Sequence, residues 1–147
     1  MRRCPPLLAG VAPRLLAEPL NVMRLSLHPE GLAGHILNFQ EWRAHLLQRL
    51  AHEAEVSADA KLLTLLDEMR AYPQPPHRGP DAARHREPTG IAIPFVLASP
   101  VGPLSFISTT TVFGTAVEVT LEEVTIEAFL PADAETAKRM LELKAKG

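Results

Sequence analysis

The segment that most constrains the fold spans residues 104–131, LSFISTTTVFGTAVEVTLEEVTIEAFLP. It is rich in threonine, valine, isoleucine and phenylalanine, which fit the pleated, half-buried surface of a sheet, and it contains no lysine or arginine. Most of the sequence before it has the apolar spacing of helices, and only a short helical segment follows it. Because a sheet this small needs helices to cover its apolar face, the sequence predicts an α+β domain.

The apolar alternation within this segment changes phase, which predicts a break. Gly114 ends a first strand at residues 104–113, and Thr120 and Glu123 have the spacing of a capped helical turn. Side chains two residues apart share a face of a strand, so a phase change would turn one apolar set to the wrong face. We therefore predict a break near residue 122 and a last strand over residues 124–130, whose apolar positions are Val124, Ile126, Ala128 and Leu130.

A third strand is predicted upstream, where the apolar period is two. The alternating positions are Ile91, Ile93, Phe95 and Leu97. A proline- and glycine-containing turn at residues 99–103 joins this strand to the next one, which predicts a β-hairpin. Pro94 cannot donate to a sheet ladder, so this strand is expected at an edge. The prediction is a small antiparallel sheet of about three strands, with an edge that is open unless something covers it.

Helix signals dominate the first half of the chain. Asn21 predicts the start of a short helix that His28 ends, because Pro29 follows it. Asn38 and Glu41 have capping-box spacing and predict a helix to about residue 56. Its apolar face is formed by Phe39, Trp42, Leu46 and Leu50.

Two further helices complete the predicted layer. Ser57 or Asp59 caps the first of them, which follows the preceding helix after a short connection, as in antiparallel pairs. Its apolar positions are Leu62, Leu63, Leu65, Leu66 and Met69. Asp133 caps a terminal helix to about residue 143, whose last turns are basic, as the helix dipole favours.

Length and charge patterning set the predicted organisation. The 147 residues are expected to form a single domain, 1–147, with a helical part at 1–72, a proline-rich linker at 73–90, and the strands and last helix at 91–147.

Residues 91–147 have four basic and seven acidic side chains, which argues against a sheet that binds nucleic acid. The linker's basic cluster is interrupted by carboxylates and lacks aromatics, so a solvated linker is favoured over a phosphate site. One cysteine and the lack of a long apolar run predict a cytoplasmic protein without a membrane segment.

Motifs for catalysis and metal binding are missing from the sequence. Glu41, His45 and His52 lie close to one stripe of a helix, but surface histidines of amphipathic helices are far commoner than metal ligands. The sequence has no P-loop, GxSxG or HExxH motif, and nothing pairs the serines and threonines of residues 105–111 with a base. No catalytic residue, metal site or cofactor is predicted.

A ligand cavity is the remaining hypothesis from the residues. Aromatic and methionine side chains are expected on the inner faces of the helices and strands, where each one alone is best explained as core. Together, a small sheet and long helices can enclose an apolar cavity with hydroxyl groups at its rim, where residues 109–111 are threonines. The candidate ligand-binding residues are Met23, Leu27, Phe39, Trp42, Leu46, Phe95, Phe106 and Thr110.

Three stretches together resemble a known family. They are NVMRLSLHPEGLAG (21–34), ILNFQEWRAHLLQRL (36–50) and LSFISTTTVFGTAVEVTLEEVTIEAFLPAD (104–133). They are similar to the C-terminal part of MmyB-like ligand-binding domains, which follow an XRE-type helix-turn-helix in bacterial transcription regulators. The resemblance implies a PAS-like fold and an apolar pocket for a fatty-acid-like ligand, without catalytic residues.

The chain departs from the pattern of this family at its start. In the family, a helix-turn-helix and the opening strands precede the counterpart of residues 7–16. We therefore expect an incomplete, N-terminally truncated PAS-like domain that does not itself bind DNA, and a homodimer in which two chains complete each other. The first functional hypothesis is a ligand-sensing module of a transcription regulator. The alternatives are a dimerisation module with a filled core that pairs with a full-length regulator, and an unrecognised small enzyme.

Overall fold

A computed structural model describes residues 6–76, 92–113 and 124–146 of the chain. These residues form four α-helices: α1 (Val22–Leu27), α2 (Phe39–Ser57), α3 (Ala60–Ala71) and α4 (Ala134–Lys146). They also form one antiparallel sheet of three strands in the order β1 (Phe95–Leu97), β2 (Leu104–Phe113) and β3 (Val124–Pro131). Short 3₁₀ turns occur at Pro6–Leu8, Pro13–Leu16 and Ala33–His35. The predicted α+β class, three-stranded antiparallel sheet and C-terminal helix are confirmed.

Three helix starts lie where the sequence predicts them. The Asn21 side chain accepts a hydrogen bond of 3.0 Å from the backbone N–H of Arg24 at the start of α1. Asp59 accepts one of 2.8 Å from the N–H of Lys61 at the start of α3, which selects Asp59 over Ser57 as the cap. Asp133 caps α4 in the same way. Each cap pairs a backbone donor that the first turn of a helix leaves without an internal acceptor.

Asn38 precedes α2 as predicted, but its side chain does not cap the helix. Its amide group bonds instead to β1 and the residue before it, donating to the carbonyl oxygen of Pro94 at 2.7 Å and accepting from the N–H of Val96 at 3.1 Å. The same amide nitrogen lies 3.2 Å from a carboxylate oxygen of Glu41. The predicted capping box is therefore wrong, because the backbone of Pro94 and Val96 offers the Asn38 side chain both an acceptor and a donor. The side chain fastens the start of α2 to β1.

Residues 35–38 cover the outer side of β1. The N–H of Leu37 donates to the carbonyl of Val96, and the N–H of Ala98 donates to the carbonyl of His35, both at 2.8 Å. Ile36 forms an isolated antiparallel bridge with Leu97. β1 is an edge strand of the sheet, as Pro94 predicts, but this edge is covered. Within the described residues, the outer side of β3 is the one without a neighbouring strand.

The register of the sheet decides which side chains of β3 face α2. Phe106 of β2 lies opposite Phe95 of β1, and Ser108 lies opposite Phe129 of β3. Since directly opposed residues share a face, Phe129 lies on the inner face with Phe95 and Phe106. Leu130 turns the other way and is 52% exposed.

Several sequence predictions concern residues 77–91 and 114–123, which lie outside the described residues. They include most of the linker, the beginning of the first strand at Ile91, and the break with its helical turn near residue 122. Where the structure describes the chain, β1 is shorter than predicted, because Ile93 and Pro94 precede it. β3 starts at Val124 as predicted and ends one residue later, at Pro131.

The hydrophobic core lies between the helical layer and the inner face of the sheet. α2 and α3 pack against each other after a connection of two residues, Ala58 and Asp59. The largest side chains that are almost fully buried include Trp42, Leu50, Met69 and Leu104. Leu63, a predicted core position of α3, is instead 50% exposed.

α4 packs against β2 and β3 and is joined to the sheet by a buried hydrogen bond. The hydroxyl of Thr136, which is 1% exposed, accepts from the backbone N–H of Ser105 at 3.0 Å. None of the described helices combines the length and the apolar character that a bilayer-crossing segment needs.

Candidate functional site

An aromatic cluster lies where α2 crosses the inner face of the sheet. The three- and four-residue spacing of the α2 apolar stripe turns Trp42 toward the strands. Its ring centroid lies 5.0 Å from that of Phe95, and Phe95 lies 6.4 Å from Phe106 and 5.8 Å from Phe129. These separations are typical of packed aromatic pairs. We call Trp42, Phe95, Phe106 and Phe129 the aromatic cluster.

The structure brings most of the predicted ligand-binding residues into one core. Six of them are no more than 7% exposed: Leu27, Phe39, Trp42, Leu46, Phe95 and Phe106. Met23 is half-buried and packs against this core from α1. The backbone of Thr110 pairs with Glu127 in the sheet, but its side chain lies outside the described part of the structure. Their role in ligand binding stays a prediction.

Phe129 is the member of the cluster that the sequence reasoning missed. It is 37% exposed, whereas Phe95 and Phe106 are almost fully buried. The α2 layer therefore covers the β1 and β2 part of the inner face and leaves the β3 part partly open. The sequence does place a phenylalanine at this odd-numbered position of the last strand. The other apolar residues of the strand occupy even-numbered positions, so the alternation predicts that the even-numbered side chains face the core.

A polar group lies next to Phe129 on the same face. The hydroxyl of Ser108 donates to a carboxylate oxygen of Glu127 at 2.7 Å, and the guanidinium of Arg49 donates to the same oxygen at 3.3 Å. The side chains of Arg49 and Glu127 are 31% and 27% exposed. Because Arg49 projects from α2 and the other two from the strands, this rim triad of Arg49, Ser108 and Glu127 joins the helix to the sheet beside the open end of the aromatic cluster.

The single polar side-chain atom of the aromatic cluster is Nε1 of Trp42, which is buried. The indole ring is 2% exposed, and its N–H has no hydrogen-bond acceptor in the described part of the protein. The imidazole ring of His45 packs against the indole at 5.5 Å without accepting this hydrogen. The great majority of buried polar groups in folded proteins are hydrogen-bonded. The indole N–H, which the described residues leave unpaired, is therefore an unusual polar group within this apolar site.

Comparison with protein families decides what kind of domain this is. The family model for the MmyB-like transcription regulator ligand binding domain matches residues 5–143. The chain belongs to this family. No curated protein and no solved structure gives a significant match to it.

Membership of the MmyB-like family confirms the resemblance seen in the sequence. It makes this chain a regulatory ligand-binding domain of the kind found in transcription regulators. The family match extends over α1, α2, the sheet and most of α4, so the aromatic cluster lies inside the matched region.

In this MmyB-like domain, an ion pair holds α1, which contributes Met23 and Leu27 to the core. The guanidinium of Arg24 donates to both carboxylate oxygens of Glu68 on α3, at 2.9 and 2.8 Å. The hydroxyl of Tyr72 also donates to Glu68, and the Tyr72 ring packs edge-on against His28 at 4.9 Å. We call Arg24, Glu68 and Tyr72 the α1–α3 clamp.

The clamp shifts the pKa values of its own members. The hydrogen bonds from Arg24 hold the pKa of the Glu68 carboxyl at about 2, against an ordinary 4.5. Burial and the hydrogen bond to Glu68 raise the pKa of Tyr72 to about 12. At neutral pH both pKa shifts therefore favour a charged Glu68 carboxylate and a protonated Tyr72 phenol, which are the forms that these hydrogen bonds require.

The described residues contain no cluster of side chains that could bind a metal ion. No group of three or more histidine, cysteine, aspartate or glutamate side chains there has the arrangement to bind a metal ion. Glu41, His45 and His52 form no such group, and the ring of His45 packs on Trp42 instead. The buried polar side chains of the described core are Ser26, Ser105 and Thr136, none of which titrates near neutral pH.

Proposed function

We propose that this chain is the sensory part of a bacterial, XRE-type transcription regulator and binds an apolar, fatty-acid-like small molecule in the aromatic cluster, without catalysis. The observation that supports this most is the placement of an aromatic core, partly open at Phe129, inside a region that matches a family of ligand-binding domains. Ligand sites are commonly apolar with a few polar groups at defined positions. Here those polar groups are the indole N–H of Trp42 and the rim triad.

On this proposal the ligand enters over Phe129 and packs against Trp42, Phe95 and Phe106. The core residues Leu27, Phe39 and Leu46 support these rings, Met23 closes the α1 side, and Thr110 continues β2 beyond the rim. The protein lies in the cytoplasm, and DNA is bound by a helix-turn-helix segment of full-length relatives rather than by these residues.

Native mass spectrometry and thermal shift measurements with a saturated medium-chain fatty acid test the proposal. We expect a bound mass above that of the polypeptide and a melting temperature that rises with ligand concentration, since a ligand that binds only the folded state stabilises it. The Phe129→Ala variant should bind more weakly. Leu141→Ala is the matched control, because Leu141 is 70% exposed on α4 and lies outside the cluster. A bare polypeptide mass and an unchanged melting temperature in every apolar ligand tried would contradict the proposal.

A second candidate function is a dimerisation module that pairs with a full-length regulator. The close packing of the six buried candidate residues favours it, because a filled core leaves no room for a ligand. The outer side of β3 and the exposed side chain of Leu130 would then form the contact. Light scattering at micromolar concentration measures this: a stable monomer argues against the homodimer, and a dimer that never takes up an apolar ligand favours this second function over the first.

A further inference from the structure

Helix α2 is attached to both outer strands of the sheet. At its start, the Asn38 side chain forms two hydrogen bonds with the backbone in and next to β1. Eleven residues further along, the guanidinium of Arg49 forms an ion pair of 3.3 Å with Glu127 of β3. Eleven helical residues span about 16 Å, and three spacings between neighbouring strands, from residues 35–38 to β3, span about 14 Å. α2 therefore lies across the sheet from one border to the other.

The two attachments differ in kind. The hydrogen bonds of Asn38 join a side chain to backbone atoms in part-buried surroundings, which fixes their geometry. The ion pair of Arg49 and Glu127 is about one-third exposed, and ion pairs at such positions contribute little to stability. Phe129, two residues from Glu127 on the same face of β3, is partly open, whereas Phe95 of β1 is buried. The β3 side is therefore the weaker attachment of α2.

Arg49 has a second carboxylate within reach, on its own helix. Its Nε lies 3.3 Å from a carboxylate oxygen of Glu53, while its Nη1 donates to Glu127. The hydroxyl of Ser108 also donates to Glu127, at 2.7 Å. If the contact between α2 and β3 opens, Arg49 keeps Glu53 and Glu127 keeps Ser108. Breaking an ion pair is costly mainly when it leaves a buried charge without a partner, so this contact can open and close again at small cost.

We propose that Arg49 is a two-position switch between Glu127 on the sheet and Glu53 on its own helix. Paired with Glu127, it holds α2 on β3. Paired with Glu53 alone, it lets α2 lift from β3 about its fixed start at Asn38. Because α3 packs on α2, both helices move, and the inner face of the sheet opens beside Phe129. Regulation of ligand access by this movement rests on the proposed function, whereas the movement itself is measurable without a ligand.

Labelling of a buried cysteine by a thiol reagent under native conditions measures the opening, because the thiol reacts only in molecules that expose it. The background is Cys4→Ser, which removes the single native cysteine. Leu50→Cys places the reporter directly after Arg49 on the buried face of α2, where the native side chain is 2% exposed. Leu97→Cys is the matched reporter on the β1 side, where the native leucine is 3% exposed.

Two substitutions move the switch in opposite directions. Glu127→Gln removes the charge of the sheet partner and should raise the labelling rate of the Leu50→Cys protein about two- to fivefold, as expected for the loss of a part-exposed ion pair. Glu53→Gln removes the competing partner and should lower that rate about twofold. Neither should change the rate of the Leu97→Cys protein. Glu135→Gln, whose ion pair lies within α4, is the control and should change neither rate.

The direction of the two effects decides whether Arg49 is a switch. A change of the same sign in Glu127→Gln and Glu53→Gln would overturn the proposal, because a group of ion pairs that only stabilises the fold is weakened by the loss of either carboxylate. Equal changes at the two reporters would show unfolding of the whole domain and would also overturn it. If the Leu50→Cys protein does not fold, Leu46→Cys on the same buried face of α2 takes its place.

Stopped-flow mixing with a medium-chain fatty acid separates the switch from the proposed function. Trp42 is the single tryptophan, so its fluorescence reports on the aromatic cluster. The association rate should follow the labelling rate, rising in Glu127→Gln and falling in Glu53→Gln; association rates that do not follow it would overturn the role of the switch in ligand access. Binding together with labelling rates that do not respond keeps the function and overturns the switch. Labelling rates that respond as expected without any binding keep the switch and overturn the function.

Discussion

Replacing Glu68 by glutamine removes the charge at the centre of the α1–α3 clamp and keeps the shape of the side chain. Glu68 accepts both hydrogen bonds from Arg24 and a further one from Tyr72. α1 is only six residues long and cannot be stable on its own. We therefore expect Glu68→Gln to lower the stability of the whole domain by loosening the contact between α1 and α3.

The size of this loss follows from the pKa of Glu68 and its exposure. A fall in the pKa from 4.5 to about 2 would correspond to about 3 kcal/mol of stability at neutral pH if the whole shift acted on folding. The side chains of Arg24 and Glu68 are 46% and 33% exposed, so solvent screening and the ordering of two long side chains reduce it. We expect the free energy of unfolding to fall by about 1–2 kcal/mol at pH 7.

Urea denaturation of both proteins over a range of pH is the assay. Because the pKa of Glu68 is lowered in the folded state, its contribution is fully present above about pH 4.5 and is lost as the pH falls toward 2. The difference between wild type and Glu68→Gln should shrink over that window and vanish below it.

The matched control for this prediction is Asp67→Asn on the same helix. Asp67 is 79% exposed and lies 3.8 Å from Arg70, so we expect a change within about 0.5 kcal/mol. A difference between wild type and Glu68→Gln that is independent of pH would refute the electrostatic reasoning. A difference as small as that of Asp67→Asn would show that the clamp does not stabilise the domain.

Three further substitutions test local features of the fold by the same denaturation assay. Gly31→Ala should lower the free energy of unfolding by about 2 kcal/mol, because the added Cβ would lie 2.3 Å from a backbone oxygen of α1. Gly34→Ala is the control, since a Cβ at Gly34 would have no such neighbour within 4 Å, and it should leave the stability nearly unchanged. Equal effects of the two substitutions would contradict this reasoning. Thr136→Val should lower it by about 1–3 kcal/mol through the loss of a buried acceptor, with Thr136→Ser as the control that keeps the hydroxyl; equal losses in both variants would point to packing instead. Asn38→Ala should lower it by about 1–3 kcal/mol because two hydrogen bonds to the strand backbone are lost, and a neutral result would contradict the role given to this side chain.

Local signals predicted most of the elements correctly. Asn21, Asp59 and Asp133 cap helices because each cap depends on atoms two or three residues away, which the sequence specifies directly. Asn38 has the same local signal and behaves differently, since its side chain meets a strand more than fifty residues away. Leu63 likewise follows the apolar pattern of α3, but it lies beside the face that buries Leu66 and Met69 and is 50% exposed.

The sequence predicts which aromatic residues of the candidate site are buried. It does not predict the hydrogen bonds and ion pairs that their surroundings form. Apolar spacing is sufficient to bury Trp42 and Phe106, because burial depends on which face a residue occupies. That the described residues offer the indole N–H no acceptor depends on every side chain around it, so no local sequence signal predicts it. The pairing of Arg49 with Glu127 joins residues that lie 78 positions apart, so only the packed structure brings them together.

The cover formed by residues 35–38 makes the two edges of the sheet different, because it closes the edge at β1 and not the edge at β3. Two backbone hydrogen bonds and the amide group of Asn38 occupy the groups of β1 that would otherwise recruit a foreign strand. Within the described residues, the side of the sheet that is left for a further strand is the outer side of β3. If two chains joined there by a two-fold axis, their sheets would merge into one continuous surface whose two outermost borders are already sealed, so the assembly would stop at a pair and not grow into a fibre.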